Sequence, residues 1–110
     1  MHPSSFQSSY EWPEVEALPG VHRRVLSCGE GVMVVQFRID GGAEVPVHAH
    51  PQEQVGHVVA GHLRFRIGDE ERELAPGDGY AIPGGLPHGC VAIGNTVAID
   101  SFTPVREDYR

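Results

Sequence analysis

The chain has no lysine: all eight of its basic residues are arginine, against fifteen acidic residues, and its formal net charge is -7. The absence of lysine excludes Schiff-base catalysis. A chain this acidic has no general electrostatic attraction for nucleic acid or for anionic membranes. We therefore expect neither as a partner, and an anionic ligand would have to be held by a local cation.

Cysteine is also scarce, with only Cys28 and Cys90 in the chain. Two cysteines far apart in sequence are too few for a disulfide framework. We predict reduced thiols in a cytoplasmic protein, because disulfides are rare in that compartment. No apolar stretch is long enough to cross a membrane, and residues 1–20 lack the pattern of a secretory signal.

Glycine and proline, in contrast, are abundant, with fourteen and nine residues placed between short apolar runs. This punctuation is typical of a β-rich fold. A chain of 110 residues is long enough for one hydrophobic core and too short for two. The sequence predicts an N-terminal arm and entry segment over residues 1–20, followed by one all-β barrel or sandwich over residues 21–110.

Apolar runs and turn residues predict the individual strands. Val32 to Ile39 is nearly continuous and predicts a strand buried on both faces. Leu63 to Ile67 alternates with arginine, which is typical of a strand with one face in water. Turns are predicted at Gly61 and at Gly94-Asn95, the second as a hairpin between two strands. The total is about eight or nine short strands, with no helix except a turn near the C-terminus.

Two histidine-bearing segments carry the chemistry. In the first, His48 and His50 project from the same face of a strand, and Gln54 shares their parity. The second delivers His88 from a distant part of the chain. Imidazole nitrogens and amide oxygens are ligands of divalent transition metals. The two spacings are Gly42-x5-His48-x-His50-x3-Gln54-x6-Gly61 and Gly77-x5-Pro83-x-Gly85-x2-His88.

These residues predict one bound divalent metal, with His48, His50, Gln54 and His88 as ligands and one or two positions open. Zinc, nickel, iron and manganese all suit this set, so the identity of the metal stays open. The competing interpretation is that the paired histidines are ordinary polar surface, and that Gln54 only hydrogen-bonds a neighbouring backbone group. Left out of the ligand set, for their spacing or their strand parity, are His2, His22, His57, His62 and Glu53.

The two segments resemble the two motifs of the cupin superfamily, over residues 42 to 92. The resemblance implies a single-domain jelly-roll β-barrel that holds a metal. Two positions depart from the usual motifs: Gln54 stands where a Glu is usual, and Ala92 where an Asn is usual. Loss of the Glu makes the site more positive by one charge, which favours Lewis-acid chemistry over stabilisation of a high-valent metal.

The C-terminal stretch narrows the resemblance. Asp100 and Phe102 share one face of a predicted strand, and Arg106 follows a turn at Pro104 that could fold it back toward the barrel mouth. Together with Pro51-Gln52-Glu53-Gln54, this tail looks like the small cupins that ketonise unsaturated monouronates in pectin and alginate breakdown. The likeness then spans residues 12 to 109.

That resemblance implies an enzyme acting on a small anionic sugar-derived substrate, a 4,5-unsaturated monouronate, to give the linear 5-keto-4-deoxyuronate. Asp100 would be the general acid and base. Arg106 would hold the substrate carboxylate and assist catalysis, and Phe102 would pack on the sugar ring. Taken singly, Phe102 could equally be core, Asp100 a turn cap and Arg106 a solvated residue.

Two other functions stay open. Three histidines with open coordination positions also suit an iron-dependent dioxygenase or thiol oxidase, and the same barrel mouth could bind a sugar without reaction. A twofold homodimer is expected, partly from the resemblance, because small antiparallel barrels leave edges and an apolar face that pair. The sequence does not distinguish between uronate epimers.

Overall fold

A computed structural model describes residues 4–110, so His2 lies outside the described residues. Within them the chain is mostly antiparallel strand, which confirms the all-β jelly-roll prediction. The predicted turn near the C-terminus is the 3-10 turn η2 (Glu107–Tyr109), and a second one, η1 (Ser9–Glu11), was not predicted. The strands are β1 (Val15–Leu18), β2 (Val21–Cys28), β3 (Met33–Ile39), β4 (Glu44–His48), β5 (Glu53–Ile67), β6 (Glu70–Leu74), β7 (Gly79–Ile82) and β8 (His88–Thr103).

Two long strands, β5 and β8, belong to both halves of the barrel. Their 15 and 16 residues pair antiparallel from Glu53 opposite Thr103 to Ile67 opposite His88. In one half, β3, β2 and β1 continue from β8, and β7 lies beside β5. In the other half, β4 lies beside β8 and β6 beside β5. The inner faces of the two halves therefore share one core and one mouth.

The predicted turns at Gly61 and at Gly94-Asn95 are wrong. Both β5 and β8 continue through these residues, because the two strands pair with each other on either side of them. Gly61 and Gly94 have φ values of 84° and 77°, and the register shifts on both sides of Ala60. Gly61 and Gly94 therefore do not form hairpin turns; they allow two long paired strands to bend.

The prediction that β3 is buried on both faces is also wrong. Met33, Val35 and Ile39 are 0%, 0% and 3% exposed, whereas Val34 and Gln36 are only half-buried. The second set projects from the outer surface of the barrel. An uninterrupted apolar run therefore conceals the ordinary alternation of a strand with one buried face.

The core has two clusters. One contains Leu63 of β5 and Ile82 of β7, together with residues of β2, β3, β6 and β8. The other contains Met33 and Phe102, and Tyr109 of η2 packs against it. Phe102 is therefore part of the core, and it also lines the cavity beside the three histidines.

Residues 4–20 contact the barrel at β2 and, through an ion pair of Glu14 with Arg38, at β3. Among them, Val15–Leu18 form β1, which pairs with β2. Ahead of β1, the Gln7 side chain accepts a hydrogen bond from the Cys28 N–H at 2.7 Å and donates one to the Cys28 carbonyl at 2.9 Å. The serine and proline content of this segment does not predict such anchoring.

Both cysteines, Cys28 and Cys90, are free, in agreement with the predicted absence of a disulfide. Among residues 4–110, no helix is long and apolar enough to span a membrane.

The bend of β5 leads to a test of the fold with Gly61→Ala. A Cβ added there would overlap the Asn95 carbonyl and the Thr96 side chain of β8, in addition to the strain of a positive φ. We expect the free energy of unfolding, measured by urea denaturation, to fall by roughly 2 to 5 kcal/mol. The control is Gly42→Ala, because Gly42 has nearly the same φ, 85°, with nothing within 4 Å of an added Cβ; it should cost only about 1 to 2 kcal/mol. Equal losses for the two variants would show that the close contact with β8 does not matter.

Candidate metal centre

Three histidines from two separated segments meet at one end of the barrel. His48 at the end of β4 is paired with His88 at the start of β8, and His50 lies two residues beyond β4. The ring centroids are 4.5 Å apart for His48 and His88, 4.8 Å for His50 and His88, and 5.6 Å for His48 and His50. One nitrogen of each ring lies within 4.8 Å of the other two. These three residues could therefore hold a metal ion.

Backbone carbonyls set the direction of all three rings. The Nδ1 atom of His48 lies 2.8 Å from the Pro46 carbonyl, that of His50 3.1 Å from the Gln52 carbonyl, and that of His88 2.9 Å from the Leu86 carbonyl. A carbonyl only accepts, so each Nδ1 carries the proton and donates it. In a neutral ring with this tautomer, Nε2 has the lone pair that a metal ligand requires.

The atoms that face one another fit a cation. His88 Nε2 is buried without a hydrogen-bond partner, and His50 Nε2 lies 3.1 Å from Gln54 Oε1. Since His50 holds its proton on Nδ1, these last two atoms both present lone pairs. Two ligands bound about 2.1 Å from one metal, at about a right angle, would lie about 3 Å apart. The four residues named from the sequence thus suit a divalent ion.

Burial favours the form of the rings that binds metal. His50 and His88 are 8% and 3% exposed, and this burial lowers the pKa of both imidazoles. A neutral imidazole is the form that binds a metal. Cys90, two residues beyond His88, is not part of the group of side chains whose ligand atoms lie within 4.8 Å of one another, and burial raises the pKa of its thiol to about 12.

Asp100 joins the site through the amide of Gln54. The Gln54 Nε2 group donates a short hydrogen bond to Asp100 Oδ2, and the Tyr80 hydroxyl donates one to Asp100 Oδ1 at 2.6 Å. Tyr80 and Asp100 lie on β7 and β8, with Gly56 of β5 between them in register. A Cβ on Gly56 would overlap the Asp100 carboxylate and lie 2.9 Å from the Tyr80 ring. A strand residue without a side chain is therefore needed for this hydrogen bond to cross β5.

This arrangement explains why Gln54 stands where the motif usually has a Glu. One end of the amide donates to Asp100 while the other presents an oxygen toward the histidines. A Glu could not donate to Asp100 unless it were protonated, and it would place two carboxylates in contact. The candidate ligands consequently carry no negative charge, and the full charge of a bound divalent ion would remain available to an anion.

Asp100 can hold or release a proton near neutral pH. It is only 1% exposed, and burial raises the pKa of its carboxyl group to about 6. As a carboxylate it accepts from both Tyr80 and Gln54. As an acid it can donate to the Tyr80 oxygen, since a hydroxyl both donates and accepts. Burial and the nearby Asp100 charge also raise the pKa of Tyr80, so Tyr80 stays protonated itself.

A cavity of about 60 Å³ lies beside the histidines and Asp100. Phe102 and Arg106 line its walls. Phe102 is 1% exposed, and its ring meets the His50 ring edge-on at 5.7 Å. The Arg106 guanidinium lies 5.4 Å from the Phe102 ring centre, and its Nε is buried without a partner. The structure therefore brings Asp100, Phe102 and Arg106 to the histidine cluster.

Residues that the sequence excluded as ligands lie elsewhere. Glu53 and His57 point away from the cavity on the exposed face of β5, and His62 is also exposed. His22 lies within 4 Å of three carboxylates on the outer surface, those of Glu14, Glu16 and Asp40. Ala92, where an Asn is usual, is buried in the core.

Two contributors to the site were not identified from the sequence. One is Tyr80, whose hydrogen bond to Asp100 joins two residues that are twenty positions apart in the chain. The available signal was Gly56, because an isolated glycine inside a strand often marks a close approach. Tyr109 also lines the cavity, and nothing in its local sequence indicates that.

The fold is that of a cupin, and the chain belongs to the cupin family: the cupin domain model matches residues 35–100. An RmlC-like cupin from Shewanella frigidimarina is 30% identical with a TM-score of 0.89, over 98% of this chain and 97% of that one. KdgF from Halomonas sp. is 32% identical with a TM-score of 0.88, over 96% and 98% of the two chains. Bacillus subtilis oxalate decarboxylase is 21% identical with a TM-score of 0.82, over 98% of this chain and 33% of that one, and shares the fold alone. No curated protein matches the chain.

The metal ligands can be tested with His88→Ala. Loss of one imidazole should lower the affinity for Zn²⁺ and Ni²⁺ by more than the roughly 10- to 100-fold that loss of an outer-shell partner costs. The measurement is titration calorimetry on metal-stripped protein, with metal content after dialysis as a second readout. His57→Ala is the control, since His57 is exposed on β5. Unchanged metal binding by His88→Ala would contradict the assignment.

Proposed function

We propose that this cupin is a metal-dependent enzyme that converts 4,5-unsaturated monouronates, derived from pectin or alginate, to linear 5-keto-4-deoxyuronates. The observation that carries the proposal is the buried Asp100, which is bonded to the ligand candidate Gln54 and shares one cavity with Arg106. The likeness to KdgF fits this activity. We propose likewise that the protein binds one divalent metal ion and that its substrate is a small anionic sugar derivative.

Arg106 would hold the carboxylate of the substrate. The protein has a net charge of -7, so an anion needs a local cation. Arg106 lines the cavity, and its buried Nε has an N–H free to donate. A guanidinium can bind a carboxylate through two parallel hydrogen bonds, which also fixes the orientation of the sugar.

A divalent ion held by His48, His50, Gln54 and His88 would supply Lewis-acid polarisation of a substrate oxygen. Phe102 forms an apolar wall next to His50 and would pack against the sugar ring. Phe102 and Arg106 would thereby bind the substrate in one orientation.

Asp100 would move the proton. In the reaction, C4 gains a proton and the C4–C5 double bond becomes a C5 ketone, while the ring opens between C1 and the ring oxygen. The anomeric hydroxyl loses a proton as C1 becomes an aldehyde, so substrate and product have the same atoms. Asp100 can deliver the first proton and recover the second, because its raised pKa, about 6, is close to neutral pH. Tyr80 keeps the carboxyl group hydrogen-bonded in both states.

The test follows the ultraviolet absorbance of the double bond of unsaturated galacturonate, with protein reconstituted with each divalent metal in turn. We expect loss of absorbance faster than the spontaneous reaction. Asp100→Asn should lower kcat by roughly 10² to 10⁴-fold and leave metal content unchanged. The same measurement on unsaturated substrates from alginate compares the epimers.

Asp69→Asn is the matched control, because Asp69 is exposed in the turn between β5 and β6; it should retain the parent rate. Absence of any rate above the spontaneous one with every metal would refute the proposed activity. Oxygen consumption dependent on Fe²⁺ would instead support the dioxygenase alternative. Full activity of Asp100→Asn would show that another group transfers the proton.

A further inference from the structure

Tyr109 contacts two arginines. Its ring centre lies 4.1 Å from the Arg106 guanidinium carbon and 4.2 Å from that of Arg23. The ring is half-buried and lines the cavity. It also meets Phe37 and Phe102 edge-on, at 6.3 and 5.7 Å. A cation over an aromatic face is attracted by the ring electrons, more strongly where water is excluded.

Arg23 occupies an unusual position on β2. It shares strand parity with Val21 and Val25, which are 2% and 3% exposed, so a cation stands in a row of core residues. Its Nη2 group lies 3.5 Å from the Asp108 carbonyl. A charged group in such a row needs compensating partners. The Tyr109 ring and this carbonyl both belong to η2, so Arg23 ties the C-terminal turn to the barrel wall.

Arg106 depends on the same turn for its direction. One terminal nitrogen donates to Asp108 Oδ2 at 3.1 Å, and its Nε has no partner. Its guanidinium lies closer to Tyr109, at 4.1 Å, than to Phe102, at 5.4 Å. An arginine side chain has many rotamers, and fixing it costs conformational entropy. A ring that is itself held by Arg23 reduces the entropy that remains to be lost when an anion binds.

We propose that Tyr109 is a positioning residue, which Arg23 holds in place and which directs the Arg106 guanidinium into the cavity to bind the carboxylate of the sugar acid. This inference rests on the proposed function for the identity of the substrate, and it extends the site from the metal ligands to the C-terminal turn. It predicts an effect on substrate binding and not on proton transfer, because Tyr109 contacts Arg106 and does not contact Asp100 by hydrogen bonding.

The test uses metal-loaded protein and two readouts. One is the Kd for saturated galacturonate by calorimetry, with neutral galactose as the comparison; the other is KM and kcat for unsaturated galacturonate. Tyr109→Ala should raise Kd for galacturonate and KM by about tenfold, with kcat within about threefold. Tyr109→Phe keeps the ring and should stay within about twofold of the parent. Arg23→Met should act in the same direction as Tyr109→Ala, and the double variant should add little to either.

Tyr10→Ala is the control, because Tyr10 also lies near an arginine, Arg24 at 5.9 Å, and is 89% exposed. If Tyr109→Ala does not fold, Arg23→Met with Tyr109→Phe still provides the comparison.

Parent-like galacturonate binding by Tyr109→Ala, or by Arg23→Met where Tyr109→Ala does not fold, overturns the inference. An equal loss for galactose overturns it too, because a neutral sugar does not need the guanidinium. If neither the parent nor any variant turns over unsaturated uronate, but Tyr109→Ala binds galacturonate more weakly as expected, the proposed function fails and the role of Tyr109 stands.

Discussion

The site depends on the orientation of one amide. Gln54 donates from its nitrogen to Asp100, and this leaves its oxygen facing the lone pair of His50. Two lone pairs at 3.1 Å are unfavourable without a cation beside them, so the hydrogen bond to Asp100 preorganises Gln54 as a ligand. The same contact connects the candidate metal centre to the group that would move a proton. An ionised Glu at this position could not donate to an ionised Asp100, and the two carboxylates would repel each other.

The barrel makes that contact possible through the pairing of β5 and β8. Gln54 and Asp100 lie on neighbouring strands, two residues out of direct register, since Gln54 is opposite Phe102 and Gly56 is opposite Asp100. The missing side chain at Gly56 leaves the space in which Tyr80 reaches Asp100 from β7. Shape and hydrogen bonding are thus supplied by the same short stretch of β5.

Charge is distributed to suit an anionic ligand in an acidic protein. None of the four candidate ligands carries a negative charge, and the buried carboxyl group in the cavity, Asp100, has a raised pKa. Arg106 adds a cation at the mouth, and Arg23 adds a second behind Tyr109. An anionic sugar would therefore meet a cation, Arg106, beside four candidate ligands that carry no negative charge.

The sequence by itself determined the fold class, the histidine triad and the shared face of Asp100 and Phe102, because strand parity and motif spacing are local properties. It did not determine where β5 and β8 bend: Gly61 and Gly94 suit a turn equally well, and only pairing along the whole of both strands shows that the chain continues. Tertiary structure alone decided that Tyr80 donates a hydrogen bond to Asp100 across Gly56. It also decided that the Tyr109 ring contacts both Arg23 and Arg106. Those partners come from separate strands or from the C-terminal turn, and their meeting depends on inter-strand register and on how the tail folds back, neither of which is encoded in any local pattern.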